Sequence, residues 1–256
     1  MDLLIKSLVG LFVGTLIGMT GVGGGVLLLP ILIFGLHVPA MNAVGSDALF
    51  NFFNKNGASI VHLRKGTVKR KVVVALIIGS APGSYLGVNL LHHLRRLYGD
   101  GVNHFITIAV GVLLICIPTF LFFQKKIEDR AASKPPSMKS FAWMSLLGLI
   151  AGFLVGITSV GSGSIVMMML LLFYSFQPKV MVGTDIVHAL LLTGVTSFLH
   201  FKINNNIDVR LVGALLIGSI PGGLLGSYLS TRVPVPWLRR ILCAVLLATG
   251  ARMLMA

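Results

Sequence analysis

The chain has 256 residues, 55% of them hydrophobic and 11% charged, against about 25% charged in soluble domains. So few charges cannot cover a water-exposed surface, which excludes a soluble globular protein, and the lack of short alternating strands argues against a transmembrane barrel. The formal charge of +14 does not indicate a nucleic-acid partner. The Lys and Arg residues sit in short segments between apolar runs, as the positive-inside rule places them in cytoplasmic loops.

In chain order, apolar pieces fall at 3–20, 25–36, 42–63, 68–91 and 103–123, then at 141–158, 163–176, 181–201, 207–229 and 237–255. Several approach the roughly 20 apolar residues that span a bilayer. The fold class expected is an all-α polytopic membrane protein with 8–10 transmembrane helices, some broken at glycine. The first piece looks like a signal peptide but has no A-x-A cleavage site. It also has a counterpart later in the chain, so it is expected to be retained. Cys116 and Cys243 lie inside apolar runs, where free cysteines pack as small hydrophobes.

The sequence is a duplication. Shifted by 138 residues, 14–25 (GTLIGMTGVGGG) faces 152–163 (GFLVGITSVGSG), identical at seven of twelve positions. VGSD at 44–47 faces VGTD at 182–185, Ser59 faces Ser197 and His62 faces His200. After one inserted residue near Asn204, 75–87 (ALIIGSAPGSYLG) faces 214–226 (ALLIGSIPGGLLG), identical at nine of thirteen. The halves are 1–123 and 141–256, joined by a polar linker, 124–140. Internal repeats of this length in a membrane chain point to a secondary transporter.

Two topologies are open. Ten spans make the repeats inverted; eight make them parallel. Either places 14 of the 21 basic residues on one side, so loop charge does not separate them. Residues 3–36 as one straight helix would run roughly 50 Å across a core of about 30 Å. The stretch must therefore break, which favours the inverted arrangement with partial helices meeting inside the membrane.

The break falls at Gly23, Gly24 and Gly25, and at the corresponding Gly161, Ser162 and Gly163. Irregular backbone at membrane depth is tolerated only where protein or a cavity surrounds it, and paired Gly-interrupted segments point to a transporter's substrate site. Free N–H groups at the start of the next helix favour an anion. Neither cluster has a nucleotide-binding context. Gly10, Gly14 and Gly18, four apart, read as helix packing by small residues. Pro82 and Pro221, in the paired GS-x-PG motifs, predict kinks in mid-span.

The third piece carries Asp47, Asn51, Lys55, Ser59 and His62 on one helical face. Its counterpart carries Asp185, Thr193, Ser197 and His200, with His188 in addition. Ionisable residues inside a span are candidates for function. Lys55 sits mid-span and faces Thr193 in the repeat; a buried cation there suits an anionic substrate or, equally, a structural carboxylate partner. Asp47 and Asp185 follow Ser46 and Thr184, which reads as ordinary N-cap chemistry or as proton coupling, with His188 a further coupling candidate. No group has metal-ligand spacing, no catalytic constellation stands out, and no cofactor is expected.

These features together resemble the TauE/SafE sulfite-exporter-like family: the size, the duplication, G-x-G-G-G followed by a proline, the V-G-[ST]-D repeat and the GS-x-PG pair. The resemblance implies a non-enzymatic, multi-pass permease or exporter in the bacterial inner membrane, moving small anions such as sulfite or organosulfonates. GSGS replaces the second glycine cluster, and Met168 stands where the first half has Pro30. The expected partners are the lipid bilayer and a small anionic substrate, without nucleic acid; a homodimer is among the assemblies the sequence allows. The candidate substrate residues are Gly23, Gly24, Gly25, Asn51, Lys55, Gly161, Ser162, Gly163 and Thr193. The alternative is a cation or proton-coupled permease or channel that uses Asp47 and Asp185.

Overall fold

The computed structural model describes residues 3–20, 24–132, 140–173, 178–229 and 235–255. Among these the regular elements are all helical: α1 (Leu3–Thr20), α2 (Gly24–Pro30), α3 (Ala40–Arg64), α4 (Arg70–Tyr98), α5 (Val102–Ala132), α6 (Phe141–Thr158), α7 (Ser164–Phe173), α8 (Pro178–Leu199), α9 (Val209–Leu229) and α10 (Val235–Met255). A π-helical turn, Ile31–Gly35, continues α2, and another, His200–Asn204, continues α8. The chain is an all-α polytopic membrane protein. Within the described residues α4, α6, α8 and α9 are among the helices apolar and long enough to span. With its π turn α2 reaches roughly 18 Å and α7 roughly 15 Å, so neither crosses a core of about 30 Å alone.

The apolar pieces and the helices coincide closely, with two extensions. The fourth helix runs to Tyr98 and stops at Gly99, whose φ is +55°. The fifth continues to Ala132, into the polar segment. Residues 133–139 of that segment lie outside the described residues. Hydropathy marks where the bilayer ends, whereas Leu, Arg and Lys at these ends sustain a helix beyond it.

Packing runs in the order α1, α9, α3, α8, α4, α6, with α5 against α10. The first helix of each half thus lies on the fourth helix of the other half. The bonds along these seams occur twice, at repeat-related positions. Ser7 Oγ donates to Ala214 O (3.1 Å), and Ser145 Oγ to Ala75 O (2.9 Å). Both seams are lined with glycine: Gly10, Gly14 and Gly18 meet the backbone of α9, and Gly148, Gly152 and Gly156 meet that of α4. A Cβ at Gly156 would stand 2.6 Å from Ser84 O, closer than any side chain is accommodated. This is small-residue helix packing, which needs close backbone approach because lipid is as apolar as the helices themselves.

The GS-x-PG motifs belong to the same seams. Pro82 and Pro221 stand inside helices α4 and α9, which continue past them. The glycines before and after each proline, Gly79 and Gly83 and likewise Gly218 and Gly222, press against the first helix of the opposite half. The serines turn the other way, toward the central helices: Ser80 Oγ is hydrogen-bonded to His188 Nε2 (2.9 Å), and Ser219 Oγ donates to Asn54 Oδ1 (3.4 Å).

The V-G-[ST]-D repeat also acts across the halves. Asp208 N donates to Ser46 Oγ and Lys69 N to Thr184 Oγ1, both at 3.0 Å. The N-cap expectation is therefore corrected. The central helices start at Ala40 and Pro178, so Ser46 and Asp47 lie beyond the first turn, as do Thr184 and Asp185. Each hydroxyl accepts an N–H leading into α9 or α4 instead.

Replacing Gly14 or Gly152 with Leu forces these seams apart and should destabilise the protein by at least about 1–3 kcal/mol, read as a lower unfolding temperature in detergent. Gly213→Ala is the control, since a Cβ there meets nothing within 4 Å. It should raise stability by up to about 1 kcal/mol through helix propensity alone.

Candidate functional site

Between the central helices α3 and α8 the polar stripe of α3 meets the second half along its length. Asp47, Asn51, Lys55 and Ser59 follow one another at four-residue spacing, so one face presents them all. Asp47 is fully buried. Its Oδ2 accepts from Ser159 Oγ (2.7 Å), in the segment between α6 and α7, and from Asn51 Nδ2 (2.9 Å). Asp47 Oδ1 is buried without a hydrogen-bond partner. Two turns beyond Asp47, Lys55 Nζ donates to Ser162 Oγ (3.1 Å), and one turn further Ser59 Oγ donates to Ile186 O (3.5 Å).

The glycine-interrupted segments close over this stripe. Gly24 and Gly25 are buried. A Cβ on Gly25 would lie 2.7 Å from Asp47 Oδ2, and one on Gly24 would lie 2.8 Å from Asn51 Oδ1. In the second half, a Cβ on Gly163 would lie 3.2 Å from Asp185 Oδ2 and 3.6 Å from Lys55 Nζ. Glycine thus lets the backbone lie close against these polar side chains. Gly161 has a second reason, a φ of +87°. Gly23 lies outside the described residues.

The result is a cluster of two carboxylates and one ammonium, with Lys55 in electrostatic reach of Asp185 and Asp47. The structure brings together Gly24, Gly25, Asn51, Lys55, Ser162 and Gly163 with Asp47 and Asp185. His188, buried beside α4 on Ser80, feels the Lys55 charge, and its Nδ1 has no partner. Thr193 is not drawn in: its hydroxyl donates to Ala189 O (2.7 Å) within α8. His200 is buried and paired with Gly156 O (3.1 Å), and His62 pairs with Thr67 Oγ1 (2.8 Å), so both serve the ends of the central helices. Ser159 is the residue that sequence reasoning passed over. The available hint was that it stands opposite Gly21 in the repeat, a hydroxyl where the first half has none.

A pocket of about 200 Å³ lies behind α2, against α1 and α10, and is lined by apolar side chains such as Leu16, Val26 and Leu246. A second, wider cleft is lined by Pro39, Asp100 and Asn103, among others. Neither is lined by Asp47, Lys55 or Asp185. Within the cluster Asp47 and Asp185 are buried, whereas Lys55 is half-buried.

The chain matches the family described as Sulfite exporter TauE/SafE over residues 7–253. It is 35% identical to Probable membrane transporter protein YjnA of Bacillus subtilis (strain 168), over 96% of this chain and 98% of that protein. It is 24% identical to Probable membrane transporter protein YunE of the same organism, over 99% and 98%. It is 25% identical to Probable membrane transporter protein MJ0441 of Methanocaldococcus jannaschii, over 97% and 94%. No solved structure matches.

Ser159→Ala removes a donor from the buried Asp47 carboxyl without adding bulk. Leaving such a group short of a partner costs about 1–3 kcal/mol. The expected outcome is a lower unfolding temperature in detergent, with Ser164→Ala, at the start of α7, as the neighbouring comparison.

Proposed function

As a member of the Sulfite exporter TauE/SafE family, the chain is a membrane transporter, and we propose that it moves a small anion, sulfite or an organosulfonate, through the charged cluster between its halves. The observation that carries this reading is the contact of Lys55, in the first half, with Ser162, in the glycine-interrupted segment of the second. An anion taken from water into a low-dielectric interior needs a cation and hydrogen-bond donors to offset its lost hydration. Lys55 is the basic residue the sequence places inside a span, and Ser162 brings a hydroxyl beside it. The segments bearing Gly24, Gly25 and Gly163 would then form the walls of the site.

Asp47 and Ser159 are fully buried while Lys55 is half-buried, so passage beyond Lys55 requires the halves to part at the cluster. That agrees with alternating access around a site at the repeat interface. The same carboxylates support a second reading, in which Asp47 and Asp185 are ligands for a cation or carry protons.

The test is flux of radiolabelled sulfite and of a labelled alkylsulfonate into proteoliposomes holding the purified protein. Wild type should accumulate one of them. Lys55→Ala should lower that flux about tenfold or more, since a hydrogen bond to a charged group is worth about 1.5–3 kcal/mol and 1.4 kcal/mol is tenfold. Unchanged flux in Lys55→Ala would remove Lys55 from the site, and cation flux in place of anion flux would favour the second reading.

A further inference from the structure

Resting on that anion reading, we infer that the two carboxylates have different roles: Asp47 is a fixed anion, while Asp185 is the exchangeable partner of Lys55, displaced by the substrate and protonated as it leaves. The asymmetry is visible in the hydrogen bonds. Asp47 Oδ2 accepts from both Ser159 and Asn51. Among the described residues no donor is recorded on the Asp185 carboxyl; its Oδ1 is buried without a partner, and its Oδ2 and Lys55 Nζ both border Gly163, where a Cβ would lie 3.2 Å from the one and 3.6 Å from the other.

The repeat makes the same point independently. Asn51 pairs with Ala189, and Ser159 pairs with Gly21. Both side chains that hold Asp47 are therefore missing at the positions that would hold Asp185. Lys55 pairs with Thr193, which is spent inside its own helix. Asp185 has kept its carboxyl and has none of the neutral groups that would stabilise the charge. It also retains 7% exposure where Asp47 has none.

The charged or titratable groups that face Asp185 are few. Helix α3 brings Lys55 and Asp47, and also His62, which stands against Gly183 one half-turn earlier. On α8 itself His188 follows three residues on. Helix α4 offers the hydroxyl of Ser80, bonded to His188, and the residue before its start is Lys69, whose N–H meets Thr184; the segment before α7 offers Ser162 and Gly163.

With one ammonium and two carboxylates, the cluster carries a net charge of minus one. A monovalent anion arriving at Lys55 would leave Asp185 as an unpaired buried carboxylate, at a cost of several kcal/mol. Uptake of one proton from the loading side by the Asp185 carboxyl removes that cost. The loaded cluster then again carries minus one: Asp47 ionised, Asp185 neutral, Lys55 charged, and the substrate anion. On release the anion departs, Asp185 gives its proton to water and its charge again balances that of Lys55. Each monovalent anion moves with one proton, so the cycle is electroneutral.

The experiment uses the full chain in proteoliposomes, with an alkylsulfonate whose charge does not change over the neutral range and the membrane potential clamped by potassium and valinomycin. Wild-type flux should fall as pH on the loading side rises and should ignore the potential. Asp185→Asn should abolish the pH dependence and make flux respond to the potential. Asp47→Asn should lower stability and flux but keep the wild-type pH profile. Ala189→Asn, which returns to Asp185 the donor that Asn51 gives Asp47, should flatten the pH profile while the carboxyl stays in place. A wild-type pH profile in both Asp185→Asn and Ala189→Asn, or its loss in Asp47→Asn alone, overturns the inference and leaves the anion reading standing. Absence of any sulfonate flux in wild type overturns both.

Discussion

Contact of backbone on backbone along two glycine seams is the constraint on which the rest of this structure depends. In lipid there is no hydrophobic gain from pressing one apolar helix on another, so association rests on close van der Waals approach. The seams provide it by leaving out side chains where α1 crosses α9 and where α6 crosses α4. Because each seam joins the first helix of one half to the fourth of the other, the halves are held crosswise. The central helices α3 and α8 are then fixed between two braced pairs. Ser46 and Thr184 complete the bracing by receiving the N–H groups that lead into α9 and α4.

That rigidity allows charge to be placed where it is costly. Asp47 and Asp185 are buried and Lys55 half-buried among neighbours with little freedom to relax, and the attraction between unlike charges offsets desolvation only while the geometry is kept. The interrupted segments contribute bare backbone instead of side chains, so Gly25 can lie against Asp47 and Gly163 against Asp185 and Lys55. A glycine-broken helix beside a charged stripe is thus one device: the break exists so that the main chain can reach the charges.

Much of this was legible in the sequence, for identifiable reasons. The stripe from Asp47 to Ser59 could be read because a helix has one period and all four residues share it. The packing role of Gly10, Gly14 and Gly18 could be read because four-residue spacing of small residues has one common use in lipid. What could not be read were relations between distant segments. Ser46 looked like a cap for its own helix, since nothing local shows that its hydroxyl serves Asp208 on the far half. The GS-x-PG motif read as a kink, and nothing local showed that its glycines face one neighbour and its serine another. Thr193 was grouped with the site on repeat symmetry alone, and a threonine in a helix has its own backbone carbonyl in easy reach. The extensions of α4 and α5 were invisible to hydropathy, which reports the solvent and not the backbone.

The crosswise seams also set a timetable for biogenesis. Ser7 and its acceptor Ala214 are separated by 207 residues, whereas Ser145 and Ala75 are separated by 70. At about 5–20 residues per second of synthesis, α1 enters the bilayer roughly 10–40 s before its partner exists. During that interval its glycine face lies open to lipid or to whatever helix drifts past. The second seam closes sooner, with α6 docking on a helix already made. The α4–α6 seam can therefore close before the α1–α9 seam, although α1 is made before any of the other three helices.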